Sequence, residues 1–330
     1  MNERVGKGLQ LSWNHLYEYG VYVIFLLMVT VFAFSNPHFF TVKNAILIVE
    51  QSSPLMLGVC GMAFVLMLGG IDISAGANMY LSAVTSALVM QKFAAANGPG
   101  GPAVYLIGIS TALLVGAAIG LVNGCFIVKL KMVPFIMTLA MTSVLTGIGL
   151  ILTKAELLPV RASGFQPSSI RVGPVSMVVV IVLLFTVVFH YLLKYTVYGR
   201  QLTAQGNNEE AARKLGIRTE RNAVIAYVIC GAMAGFGGVL SAGQVGALSS
   251  NFAKGNEFDI IPAAVLGGIS LFGGKGSILP GAVIGIVLVN TITNGLTMMA
   301  ANPYVYTIVR GMIIFIAVML DSINYKGELR

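Results

Sequence analysis

Acidic and amide side chains inside long apolar runs are the residues of this sequence that could do chemistry. Asp72 is the strongest of them, because an ionisable group in an apolar stretch is costly and is kept for a specific role. It lies in the glycine-rich stretch 68–76, where backbone amides and Ser74 can hold its carboxylate. Two roles are open for Asp72: contact with a polar substrate that crosses a membrane, or capping of a helix at the end of a span.

Other polar groups could extend a polar pathway. Glu50 opens an apolar segment, where it marks either the wet mouth of a pathway or only the interfacial end of a helix. Amides within apolar runs can line a pathway or form hydrogen bonds between helices. Asn78, Asn290 and Asn294 are the amides that we take as pathway candidates. Arg310 can extend outward to water, or it can pair with Asp259 or Glu257.

No catalytic or metal-binding pattern is recognisable in the sequence. The three histidines are scattered, and neither HExxH nor Gly-x-Ser-x-Gly occurs. Cys60, Cys125 and Cys230 lie in apolar runs without metal-ligand spacing. The stretch 273–277, Gly-Gly-Lys-Gly-Ser, lacks the spacing of a phosphate-binding loop. We therefore expect no enzyme activity, cofactor, metal or nucleotide site in this chain.

The elements that position these residues are apolar segments. The chain has 330 residues, 57% hydrophobic and 10% charged, whereas a soluble domain carries roughly 25% charged residues. Its mean hydropathy is +0.87. This composition predicts an all-α polytopic membrane protein, one domain over 1–330, with about ten transmembrane helices. The predicted spans are 20–35, 45–68, 76–93, 103–128, 132–152, 174–194, 221–246, 259–273, 277–299 and 304–321.

Basic residues indicate how the chain crosses the membrane. If the N-terminus is inside, alternate crossing leaves thirteen Lys and Arg residues in or next to the inner segments and six in the outer ones. This bias predicts cytoplasmic N- and C-termini and a cytoplasmic segment 195–220. It also accounts for the net charge of +8 without nucleic-acid binding. The longest outer connection, 153–173, is either a solvated loop or a contact with an external partner.

The densest group of charges lies between Tyr198 and Arg221, with apolar runs on both sides. Asn207 or Asn208 can cap a short helix there, acidic residues follow in its first turn, and Gly216 can end it. Leu215 and Ile217 give this helix an apolar contact. Glu210 and Arg213, three residues apart on one helical face, can pair with each other or with a partner. The helix is either a docking element exposed to water or only a connector between two spans.

Two glycine-rich interruptions share the sequence Leu-Gly-Gly-Ile. The first is residues 68–76, and the second is residues 266–277. Paired interruptions in the two halves of a transporter are typical of an internal structural repeat. Because the segments of the two halves start on opposite sides of the membrane, the predicted repeat is inverted.

These motifs together resemble the permease subunits of ABC importers that carry ribose, xylose, arabinose and galactosides. The resemblance implies that the loop within 195–220 couples to the ATPase through Gly206, Asn207, Glu210, Ala211, Ala212, Arg213, Gly216 and Ile217. The resemblance is also carried by two other motifs. One is Asp72-Ile-Ser-Ala-Gly76, and the other is the glycine-rich stretch 267–276 preceded by the acidic segment 257–261. The motifs are specific for the family and do not fix the sugar.

The resemblance implies an ATP-driven, binding-protein-dependent sugar importer in the bacterial inner membrane. Its partners would be a separate cytoplasmic ABC ATPase, an extracytoplasmic solute-binding protein and a second permease subunit, identical or different, within the lipid bilayer. Two alternatives stay open. A secondary transporter of a small polar solute also uses inverted repeats and broken helices. A membrane scaffold protein would need no polar pathway.

Overall fold

The structure is a computed structural model that describes residue 26 and residues 29–328. Residues 29–35, within the predicted first span, are helical, whereas Arg4 and Lys7 lie outside the described residues. The helices that follow are α1 Val42–Leu66, α2 Ala75–Asn97, α3 Pro102–Lys129, α4 Pro134–Thr153, α5 Met177–Tyr195, α6 Val197–Asn207, α7 Glu209–Lys214, α8 Thr219–Val245, α9 Glu257–Leu266, α10 Val283–Met298 and α11 Pro303–Glu328. The strands are β1 Leu158–Pro159, β2 Arg171–Val172, β3 Val175–Ser176 and β4 Ala247–Leu248.

Membrane-spanning helices dominate the fold, as the composition predicts. Within the described residues, 6 helices are long and apolar enough to cross a membrane: α1, α3, α4, α5, α8 and the continuous segment Ile278–Met298 that ends in α10. A shorter apolar stretch, Tyr304–Met319, lies in α11. The prediction of an all-α polytopic membrane protein is confirmed, but the count of ten spans is not.

The predicted span 259–273 is wrong, because α9 has only 10 residues. A helix of this length rises about 15 Å, roughly half of a hydrocarbon core. The loop before α9 covers the other half of the crossing. It leaves β4 at one end of the bundle, and by Glu257 it lies against Gly76 at the start of α2. Loop and half-helix together still cross the bundle once, so the predicted alternation of sides is kept.

Helix α8 is at the centre of the bundle and packs most closely on α3. Gly116, Gly120 and Gly124 follow one another at helical spacing on α3, facing Tyr227 and Gly231 of α8. A methyl group on Gly120 would collide with the carbonyl of Tyr227. Small residues at this spacing let two helix backbones approach, which supplies the van der Waals contact that holds helices together in lipid.

The two ends of the bundle are built from different connections. At the strand end, β1 pairs with β4, and Gly100 N donates to Ser163 O at 2.9 Å. At the opposite end, which we call the docking end, lie α6, α7 and the two glycine interruptions. There Gly274 N donates to Met67 O at 2.9 Å. If the chain crosses the membrane at each span, the connections at the strand end all fall on one side, and those at the docking end all fall on the other. The inverted repeat itself stays a prediction.

Candidate functional site

Helix α7 has the caps that the sequence predicts. The Asn208 side chain accepts a hydrogen bond from Ala211 N at 2.9 Å, so Asn208 is the N-cap and Asn207 ends α6. Glu209 and Glu210 occupy the first turn, where carboxylates are favourable. Gly216 has a φ of 82°, the left-handed conformation that favours glycine after a helix. These local features give a six-residue helix with defined ends.

The charges of α7 are arranged differently from the prediction. Glu209 pairs with Arg213 at 3.0 Å, and Glu210 pairs with Lys214 at 2.8 Å. Glu210 and Arg213 do not pair with each other, because side chains four apart come together here, and their pairing with a partner stays a prediction. All four side chains are more than half exposed, so the pairs add little stability and leave their charges available to a partner.

Apolar contact of α7 falls on a different residue from those expected. Leu215 is 80% exposed, whereas Ala212 is 2% exposed and faces the protein. The expected packing of Leu215 is therefore wrong, and Ile217 is half-buried. An exposed leucine beside four exposed charges gives α7 a surface suited to a protein partner, with an apolar contact and a charged rim.

Helix α6 attaches α7 firmly to the bundle. Gln205 Nε2 donates to Thr219 O at 3.2 Å, and Asn222 Nδ2 donates to Gln201 Oε1 at 3.1 Å. The Tyr198 hydroxyl donates to Asn222 O at 3.0 Å, and burial raises the pKa of this phenol above its usual range. The proton that Tyr198 donates is therefore kept at physiological pH. Three bonds between α6 and the start of α8 fix the docking end.

Asp72 lies in the first glycine interruption and is 1% exposed. Its Oδ1 accepts hydrogen bonds from Ser74 N at 2.9 Å and from Ser74 Oγ at 2.6 Å, as predicted. Asn123 Nδ2 of α3 in turn donates to Ser74 Oγ at 2.9 Å. Ile73 N donates to Thr138 Oγ1 of α4 at 3.1 Å. The interruption is thus bonded to both helices that follow α2.

The remaining pathway candidates are dispersed and do not form one site. Asn78 donates to Gly116 O and Gly231 O at 3.4 and 3.3 Å, which joins α2 to α3 and α8. Asn294 accepts from Asn44 at 3.0 Å, and the half-buried Asn290 donates to Ile286 O in its own helix. The sequence left two roles open for these amides, lining a pathway or bonding helices together. The contacts in the structure are hydrogen bonds between helices and, for Asn290, within one helix.

Glu50 belongs to the strand end of the bundle. Its Oε1 accepts from Arg171 at 2.8 Å and from Ser176 N at 2.9 Å. These bonds fasten the segment 171–176 to α1, the behaviour of an interfacial helix end. Its place in a pathway stays a prediction, as it does for the other candidates.

Of the two roles open to Arg310, extension to water or an ion pair, the structure shows the ion pair. Arg310 Nη2 lies 2.7 Å from Asp259 Oδ2, which links α11 to α9.

Asp321, further along α11, is not among the residues predicted from the sequence. Its Oδ2 accepts from Leu271 N at 2.8 Å. A lone carboxylate close to the inner end of the last apolar segment is the only signal in the sequence that could have drawn attention to Asp321.

The bundle of apolar helices, with interrupted segments and an exposed capped helix at one end, defines a polytopic helical membrane protein. The family profile "Branched-chain amino acid transport system / permease component" matches residues 44–318, and the chain belongs to this family. No solved structure matches the chain.

Three curated relatives from Escherichia coli (strain K12) match over most of their length. The galactose/methyl galactoside import permease protein MglC is 33% identical over 96% of this chain and 97% of its own. The ribose import permease protein RbsC is 31% identical over 91% of this chain and 92% of its own. The D-allose transport system permease protein AlsC is 31% identical over 98% of this chain and 97% of its own.

Proposed function

We propose that this chain is the membrane-spanning permease subunit of an ATP-driven importer of a monosaccharide. The similarity to relatives named for galactose, ribose and allose import supports a sugar as the substrate class. The chain provides the translocation pathway and does no chemistry on the sugar. ATP is hydrolysed by a separate ABC ATPase subunit.

The docking helix α7 is the observation that carries the proposal. It is capped at both ends, exposes Glu210 and Leu215, and is attached to α8 through α6. A mere connector between spans needs neither defined caps nor an exposed leucine. In the proposed complex, α7 and the turn after it enter the ATPase, which contacts Glu210, Arg213 and Leu215. Gly206 lies outside this contact, because it faces Met67 and Gly274 of the bundle.

The other partners follow from the same proposal. A solute-binding protein delivers the sugar at the strand end, and a second permease subunit, identical or different, completes the pathway. The chain lies in the inner membrane of a bacterium with α6 and α7 in the cytoplasm. Asp72 and Ser74 hold the first interruption in place, and the pathway forms beside it when two subunits assemble.

Co-purification with the ATPase subunit of the same transport system tests the docking role. We expect Glu210→Arg to weaken ATPase capture by about tenfold or more, as substitutions at a binding centre do. The permease should stay in the membrane, because Glu210 is 80% exposed and makes only a surface ion pair. The matched control is Glu156→Arg, an exposed acid next to the strand end. Equal capture by both variants would refute docking at α7.

A further inference from the structure

Three chain segments meet backbone to backbone at the docking end. They are Met67–Gly69, where α1 ends and the first interruption begins, Gly206–Asn207 at the end of α6, and Phe272–Gly274 of the second interruption. Gly274 N donates to Met67 O at 2.9 Å, which joins the two interruptions directly. We call this meeting point the glycine junction.

Two glycines of the junction, Gly206 and Gly273, have no room for a side chain. A methyl group on Gly206 would collide with the Met67 carbonyl and with Gly274 N. One on Gly273 would lie 2.9 Å from Gly69 N and 3.1 Å from Gly206 O. Contacts between backbones alone cannot adapt by rotamer changes, as side-chain contacts do, so relative motion of the three segments must break them.

Each segment of the junction is attached to a different part of the bundle. Gly206 belongs to α6, which is bonded to α8, and it lies three residues before the start of the docking helix α7. The second interruption is held by Asp321 of α11, and the segment just after it is held by His190 of α5, which accepts from Leu279 N at 3.1 Å. The first interruption continues into Asp72. The junction therefore connects the docking helix with two interrupted segments that lie far apart in sequence.

We propose that the glycine junction is a rigid unit through which movement of α7 displaces both interrupted segments together. Gly206 is the positioning residue of this unit. Because it has no side chain, the backbone of α6 can pack directly against Met67 O and Gly274 N, which are hydrogen-bonded to each other. The inference rests on the proposed docking of α7 to an ATPase, and it adds the route by which that docking reaches the membrane segments.

The first test separates docking from transmission. Gly206→Ala pushes α6 away from the junction, whereas the surface of α7 is unchanged. We expect normal ATPase capture and hydrolysis, with uptake per ATP lowered by about tenfold. Gly147→Ala is the matched control, since nothing lies within 4 Å of a methyl group built there. Wild-type coupling in Gly206→Ala would overturn the proposal.

A second test covers the case in which Gly206→Ala does not fold. The Asn207 side chain occupies the space beside Gly274, so cysteines at Asn207 and at Lys275, the next residue along the chain, can be joined across the junction by a short bis-thiol reagent with a cleavable disulfide. If the junction is rigid, the cross-linked complex imports sugar at the same rate as after reductant has cleaved the cross-link. A stop on cross-linking that reductant reverses would show that the segments must separate, and would overturn the proposal.

Loss of ATPase docking and loss of the rigid junction give different experimental results. If the wild-type chain captures no ATPase, the proposed function fails and the junction has no movement to transmit. If the wild type captures ATPase but Gly206→Ala remains fully coupled, docking stands and the rigid junction alone is wrong.

Discussion

Asp72 is a buried acid whose position is set by its own neighbours in the chain. Its carboxylate accepts both the amide and the hydroxyl of Ser74, two residues ahead. This local turn satisfies groups that the helix interruption would otherwise leave unpaired, and buried unpaired groups are costly. Ser74 then carries the connection to Asn123 of α3. Asp72 thereby holds Ser74, the residue just before α2, in place.

Substitution at Asp72 should separate hydrogen bonding from charge. Asp72→Ala leaves the Ser74 amide without its acceptor, and we expect a loss of about 1–3 kcal/mol in the free energy of unfolding. Asp72→Asn keeps a carbonyl oxygen and should lose less. Equilibrium unfolding in mixed detergent micelles measures both, with sugar uptake as the functional readout. Equal stability of the two variants would contradict the role argued for the carboxylate.

Residue-scale prediction succeeds where the partner is close in sequence. The pairing of Asp72 with Ser74 and the capping of α7 by Asn208 depend on spacings of two and three residues, which the sequence displays. The partners Asn123 and Thr138 come from α3 and α4. Only packing of the whole bundle decides that these side chains meet the first interruption, so no local pattern could pair them with it.

Helix α9 is the element that differs most from expectation. Its apolar residues run into the second interruption, and hydropathy alone merges the two into one span. The interruption is a loop because Gly268, Gly273 and Gly274 have positive φ values, which end regular helix. Helix α11 fastens the half-helix at one end through Arg310 and the loop through Asp321.

The Arg310–Asp259 pair should show energetic coupling between α11 and α9. Arg310→Gln and Asp259→Asn should each destabilise the protein, and the double variant should lose less than their sum. We expect a coupling of about 0.5–3 kcal/mol from a double-mutant cycle in mixed micelles. The exposed pair Glu209–Arg213 is the control and should give about 0.3–0.5 kcal/mol. Additive effects at Arg310 and Asp259 would remove this link.

At the scale of the whole molecule, the segments that connect the helices lie at two ends of the bundle. The strand end joins three connections distant in sequence, and the docking end joins α6 with both interruptions. Charge bias predicts the same grouping from the sequence alone, because each crossing moves the chain to the other side of the membrane. At residues 249–266, a loop makes half of the crossing and α9 makes the other half. The connections before and after this crossing still lie at opposite ends of the bundle, as predicted. Contacts within each end are long-range and could not be predicted.

Cysteine labelling checks the orientation of the two ends. An added cysteine at Asn97 should react with an impermeant thiol reagent in intact cells, and one at Glu210 should react only after permeabilisation. The native Cys60 and Cys230 are buried and Cys125 is half-buried, so the wild type provides the background. Reaction of the Glu210 cysteine in intact cells would reverse the orientation and place α7 out of reach of a cytoplasmic ATPase.

The central claim is that this chain imports a sugar with energy from a separate ATPase. Uptake of labelled galactose and ribose into proteoliposomes that contain the permease and its ATPase subunit tests it most directly. We predict uptake of at least one sugar that requires ATP inside and the solute-binding protein outside, and that Glu210→Arg abolishes. Uptake that proceeds without ATP and follows an imposed proton or sodium gradient would contradict the claim and identify a secondary transporter.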